Sequence, residues 1–159
     1  PKIVNEGFAG KIYCSEGTRD LCEVMLRDSA HLQEEDARYA NRSKHSRHDP
    51  AKPLYTARDA EQALRLFSPL KKSEWHELYP GISVKLVRAG HILGSTIVQL
   101  NLQYDHKSLI VTFSGDLGNG RQNVIKDPEP ILETDYLIME GTYGDRVQPR
   151  VDRPKFCKS

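Results

Sequence analysis

A layered α/β fold is predicted by three observations. Apolar residues recur at helical spacing through the first third of the chain. After Pro69 the rhythm changes to alternation with a period of two. Two later runs, Leu109 to Phe113 and Tyr136 to Met139, are continuously apolar, as strands covered on both faces are. Helices therefore come first and a sheet follows, with central strands that need a layer on each side: an α/β sandwich or a piece of one.

The elements follow in order. Lys11-Ile12-Tyr13 is a short strand after the Gly7-Phe8-Ala9-Gly10 turn. Thr18 can cap a helix whose apolar face is Leu21, Val24 and Met25. A second helix is expected near Ser29, with Glu34, Glu35 and Asp36 early and Arg38, Arg42 and Lys44 late, an order that suits the helix dipole. Residues 42–53 are polar and basic with two prolines, and read as a loop. Thr56 caps another helix with Asp59 in capping-box position, and Ala60, Ala63, Leu64 and Phe67 form its stripe. Trp75 to Tyr79 is a strand candidate. Ile82, Val84 and Leu86 alternate with polar residues, as do Val98, Leu100, Leu102 and Tyr104 with Gln99, Asn101 and Gln103, so both read as half-buried strands. Asp105-His106-Lys107 is the hairpin turn between the second of these and the next strand.

The whole chain bounds its class. Its 159 residues suffice for one domain and its core. It opens on Pro1 rather than Met, so it is expected to be a piece of a longer product. No apolar stretch approaches the roughly 20 residues of a membrane span, and no signal peptide is visible. A net charge of +1 does not announce a nucleic-acid binder. Cys14, Cys22 and Cys157 are odd in number and lack a CxxC pair, which argues against a disulfide scaffold or zinc ribbon and for a reducing, cytoplasmic setting.

Three residues could carry chemistry. His91 lies between Gly90 and Gly94 at a strand end, where the backbone can turn sharply; the alternative is a solvated or core histidine. Asp116 follows the apolar run ending at Phe113. An unpaired carboxylate buried there would cost several kcal/mol, so a cation or dense hydrogen bonding is expected. The alternative is an Asp turn with Gly118 and Gly120. Glu140 likewise ends an apolar run, its alternatives being a helix-cap partner or an ion pair with Arg146. One His and one Asp suit zinc, manganese or iron but are too few for a catalytic site. His45 and His48 lie in the basic loop, where a solvated role fits.

Gly90-His91-Ile92-Leu93-Gly94-Ser95, Phe113-Ser114-Gly115-Asp116-Leu117-Gly118 and Glu140-Gly141-Thr142-Tyr143-Gly144-Asp145-Arg146 together resemble the metallo-β-lactamase fold. The branch they resemble is β-CASP, the RNA-processing nucleases related to the cleavage and polyadenylation endonuclease. Asp28-Ser29-Ala30-His31, Glu34-Glu35-Asp36-Ala37 and Pro53-Leu54-Tyr55-Thr56 with Asp59-Ala60 are similar too. The likeness runs from about Lys2 to Arg146.

The resemblance implies a four-layer αββα sandwich with two zinc ions at the edge of its sheets. In it His91 would bind one metal, Asp116 would bridge two, and Glu140 would orient a later histidine that protonates the leaving group. The implied chemistry is phosphodiester hydrolysis by a hydroxide activated by two zinc ions, with RNA as the partner. Two metals about 3.5–4 Å apart can clamp a phosphodiester's oxygens and lower the pKa of water from about 15.7 to about 7. The chain departs from the family by lacking the HxHxDH motif and the later histidine motifs. Residues 1–146 are thus expected to be part of a metallo-β-lactamase-like domain, inactive alone, and 147–159 a tail at the start of the β-CASP region or unrelated to it.

Two other functions stay open. One is a non-catalytic scaffold relative in RNA processing, which the presence of all three residues disfavours. The other is a small-molecule metallo-hydrolase of the same fold, which the acidic motif at Glu140 disfavours. RNA-contacting residues are not identified. Arg38, Arg42, Lys44, Arg47 and Lys52 could meet phosphates or be a solvated helix end and loop. An incomplete sheet could pair its edges with a second copy, making a homo-oligomer.

Overall fold

The computed structural model describes residues 1–44, 46–118, 124–142 and 144–145. The expected tail 147–159, together with His45, Gly120, Tyr143, Arg146 and Cys157, lies outside the described residues.

The architecture is mixed α/β. A short helix α1 (Lys2–Asn5) precedes strand β1 (Ile12–Cys14) and one long helix, α2 (Glu16–Ser43). Two helices were expected over this span, starting at Thr18 and Ser29. The cap is instead Ser15, whose hydroxyl accepts the Thr18 N–H at 3.1 Å and satisfies one of the orphan donors of the first turn. Ser29 starts nothing, because its hydroxyl accepts from the Gln33 side chain at 3.2 Å and from Tyr55 at 2.8 Å rather than from backbone. The helix runs on until Lys44 turns left-handed at φ 53°.

Helix α3 (Ala57–Leu64) packs against α2. Its capping box is complete: the Thr56 hydroxyl accepts the Asp59 N–H at 3.3 Å and the Asp59 carboxylate accepts the Thr56 N–H at 2.9 Å. The buried residues of the pair are all alanine, Ala30 on α2 and Ala60 and Ala63 on α3. The Arg27 guanidinium spans the exposed seam, donating to Glu61 at 2.5 Å and Glu23 at 2.8 Å. Solvent screening leaves such pairs little net worth.

Phe67 does not continue the α3 stripe. It opens β2 (Phe67–Pro69), which pairs in parallel with β1 in the register Ile12↔Phe67, Tyr13↔Ser68 and Cys14↔Pro69. Tertiary pairing overrode the helical spacing here. Ile12 N–H bonds to Leu66 O at 2.8 Å and Leu70 N–H to Cys14 O at 2.9 Å, closing the ladder at its two ends.

The large sheet has the order β3 (Trp75–Tyr79), β4 (Ile82–Arg88), β5 (Thr96–Tyr104), β6 (Lys107–Phe113) and β7 (Tyr136–Ile138). The first four are antiparallel neighbours, and β7 is parallel to β6. The β5–β6 turn is two residues, Asp105 and His106, both left-handed at φ 49° and 62°, as a type I′ hairpin requires. Lys107, expected in the turn, is already paired with Tyr104.

Two expectations about cover are overturned. Gln99 was expected on the open face of a half-buried strand, yet it is 2% exposed. The segment leading into β7 crosses that face, and the Gln99 amide donates to Glu133 O at 2.9 Å and to the Thr112 hydroxyl at 3.1 Å. Val87, Ala89 and Ile97 form the core beneath it, with Leu117 and Ile131 against them. Conversely, Tyr136, Leu137, Ile138 and Met139 were expected to be covered on both faces. They are 53–62% exposed, because among the described residues β7 lies at the sheet edge with β6 as its one strand neighbour. Leu109 and Phe113 of β6 are also partly open, while Thr112 on the opposite face is fully buried.

Candidate active site

The pairing pattern sends β4, β6 and β7 in one direction, so their C-terminal ends share one rim of the sheet. His91 lies just beyond β4, Asp116 just beyond β6 and Glu140 just beyond β7. Residues far apart in the chain therefore meet. His91 Nε2 stands 3.9 Å from Asp116 Oδ2. The Glu140 carboxylate accepts the Leu117 N–H, next to Asp116, at 2.5 Å.

Neighbouring groups hold each loop in place. The Ser95 hydroxyl accepts the His91 N–H at 3.1 Å and the Ile92 N–H at 3.2 Å, which closes the turn that carries the imidazole. Gly94, at φ +82°, lies against the first turn of α2; an added Cβ would sit 2.3 Å from Thr18 N. Ser15 and Thr18 hydroxyls both donate to Gly94 O, at 2.7 and 3.0 Å. The Gly118 N–H donates to Ala89 O at 2.8 Å, tying the Asp116 loop to the end of β4.

The burial argument for Asp116 does not hold. Its side chain is 72% exposed and that of His91 43%. Water solvates the carboxylate, so its interest lies in its place beside His91 rather than in a desolvation penalty. Glu140 is better anchored. The Leu117 N–H, a Thr142 side-chain hydrogen bond and, less strongly, the nearby His91 hold its carboxyl below the usual glutamate range, against a smaller opposing effect of desolvation. This role replaces the expected alternative of a helix cap, while the other alternative, a pair with Arg146, lies outside the described residues.

A carboxylate with a lowered folded pKa stabilises the fold above its unfolded value. That contribution is complete above pH 4.5 and is lost as pH falls through the lower folded value. A carbon-13 NMR titration of the Glu140 carboxyl is expected to give a midpoint below 4.5. A midpoint at or above that value would contradict the hydrogen-bond geometry.

An imidazole nitrogen and a carboxylate oxygen facing each other are donors that a zinc ion accepts. His91 and Asp116 fit such an ion in type and position, as part of a ligand set. Among the described residues no group of three or more His, Cys, Asp or Glu is placed to hold a metal. Glu140 does not complete the set, since its carboxylate is engaged by Leu117 and Thr142.

The basic stretch is not part of this rim. The first turn of α2 adjoins Gly94, whereas Arg42 and Lys44 lie at the other end of a 28-residue helix. At a rise of about 1.5 Å per residue that is roughly 40 Å away. Arg38 is paired with Glu35 at 3.0 Å. Ser15, Ser95 and Ser114, which hold the loops, were given no role from sequence, although the last two stand in the motifs, and Gly118 was expected only as a turn residue. The serines next to the glycines of the two motifs were the available signal.

Among the described residues no helix is long and apolar enough to cross a membrane. No family model matches the chain. It is 33% identical over 146 residues to ribonuclease TTHA0252 of Thermus thermophilus, a match covering 92% of this chain and 29% of that protein. It is 30% identical over 154 residues to transcription termination factor FttA of Pyrococcus abyssi, covering 93% of this chain and 21% of that one. The FttA of Methanocaldococcus jannaschii is 26% identical over 147 residues. The chain thus spans less than a third of the length of these curated relatives. Their names support an RNA-processing nuclease family.

Proposed function

We propose that this chain is part of a metal-dependent ribonuclease of the β-CASP branch, an interior piece of a metallo-β-lactamase αββα sandwich. One observation carries the reading: His91, Asp116 and Glu140 converge on a single rim although 49 residues separate the first from the last. Similarity to a protein named ribonuclease supports RNA as the substrate, and the odd cysteine count without a CxxC pair favours a reducing, cytoplasmic setting. The same convergence favours a catalytic member over a scaffold relative.

In this reading His91 and Asp116 are metal ligands, and Asp116 is suited to reach two ions because a carboxylate has two oxygens. Bound zinc would supply an activated water and charge stabilisation for a phosphodiester. Glu140 stays ionised, and its carboxylate can accept a hydrogen bond from a histidine supplied by another part of the polypeptide. With two donors on the rim, the chain by itself is not expected to hold two zinc ions tightly or to cleave RNA.

The test uses the full-length polypeptide that contains this chain, offered RNA, DNA and a chromogenic lactam. Cleavage of RNA is the expected result. Lactam hydrolysis without RNA cleavage would overturn the proposal in favour of a small-molecule hydrolase, and two tight zinc sites in calorimetry of this chain alone would overturn the partial-site reading.

A further inference from the structure

We infer that Ser114 is a positioning residue that sets Asp116 against the Glu140 strand. The inference rests on the reading of Asp116 and Glu140 as working groups of the nuclease. Ser114 is 3% exposed and lies between β6 and the Asp116 turn. Its N–H donates to Ile138 O at 2.9 Å, the last rung of the parallel pairing. Its hydroxyl accepts the Glu140 N–H at 3.0 Å and donates to Gly115 O at 2.7 Å. Four residues of loop are therefore held at both ends by one residue. The Glu140 backbone grips Ser114, and the Glu140 carboxylate grips Leu117. Asp116 sits between the two grips and faces His91.

The β6–β7 ladder ends at Ile138, and among the described residues no strand pairing holds Glu140. Its main-chain bond to Ser114 is what carries the order of β6 and β7 past the end of the ladder. Loss of that hydroxyl frees the Glu140 N–H and lets the carboxylate drift from Leu117. A misplacement of about 1 Å in a catalytic group can cost about 100-fold in rate.

The experiment compares Ser114→Ala and Ser114→Thr in the full-length polypeptide, labelled with nitrogen-15 at leucine and glutamate. In Ser114→Ala the Glu140 amide is expected to exchange at least about tenfold faster, and the Leu117 amide proton to lose the low-field shift of a short bond to a carboxylate. RNA cleavage is expected to fall about 10- to 100-fold in kcat with KM unchanged. Ser114→Thr, which keeps the hydroxyl, is expected to restore all three. If Ser114→Ala does not fold, Ser114→Cys, close in size and a weak acceptor, takes its place with the same expected changes. Native exchange at Glu140 and a native Leu117 shift in the folded variant would overturn the inference, as would an unchanged kcat. Wild-type protein that cleaves no RNA would sink the nuclease reading instead, and the two amide measurements would still decide the role of Ser114.

Discussion

Asp116→Ala is expected to abolish RNA cleavage by the full-length polypeptide, by about 1,000-fold or more, and to lower its metal content. Changes to groups that merely orient metal ligands cost about 10- to 100-fold, so loss of a shared ligand should exceed that range. The fold should hardly notice. The Asp116 side chain is 72% exposed, and it faces His91 at 3.9 Å. A surface change of this kind moves stability by about 0.5 kcal/mol or less. Glu140→Gln separates the two roles. It should slow cleavage about 10- to 100-fold while the metal stays bound, since the carboxamide oxygen can still accept from Leu117. Activity and metal analysis side by side check both variants. Equal metal loss would make Glu140 a ligand, and full activity in Asp116→Ala would remove Asp116 from the chemistry.

Gly118→Ala should have the largest effect on the fold around the site. A Cβ there would lie 1.8 Å from Gly90 O and 2.3 Å from Gly90 C. Both are backbone atoms, so no rotamer change relieves the overlap. Either the Asp116 loop or the His91 loop must move, and the 2.8 Å bond from Gly118 N–H to Ala89 O must break. Overpacking in tight places typically costs up to about 3 kcal/mol, and a backbone clash belongs at the top of that range. Gly141→Ala is the matched control, because among the described residues nothing lies within 4 Å of the position its Cβ would take. Urea unfolding of the two variants should place Gly118→Ala well below the parent and Gly141→Ala near it. Equal midpoints would mean that the two loops are not in the close contact described.

The parts of the fold that were legible are those that local chemistry decides. Thr56 and Asp59 are three residues apart, and their reciprocal bonds need nothing from elsewhere. The turn at Asp105 and His106 needs two residues that tolerate positive φ. Strand β4 follows from alternation alone, since one slip of register would move every apolar side chain to the wrong face. Phe67 was illegible for the opposite reason. Its helical spacing was real, but Ile12, 55 residues away, was the stronger claimant on its backbone neighbours.

The same division runs through the candidate site. Composition and motif spacing marked His91, Asp116 and Glu140 as chemically capable, because glycines beside an acid or an imidazole at a strand end are visible one residue at a time. Their meeting on one rim depends on strand direction and sheet order, which pairing across the chain sets. Burial depends on what crosses a face: Gln99 is covered by a distant segment, while β7 is apolar and open. Local spacing can state which side of a strand is apolar, but a residue's solvent is decided by neighbours that are remote in sequence. That is why the candidate residues could be picked out one at a time in the chain, and why the contacts of Ser114, Leu117 and Glu140 around Asp116 emerged only from the folded structure.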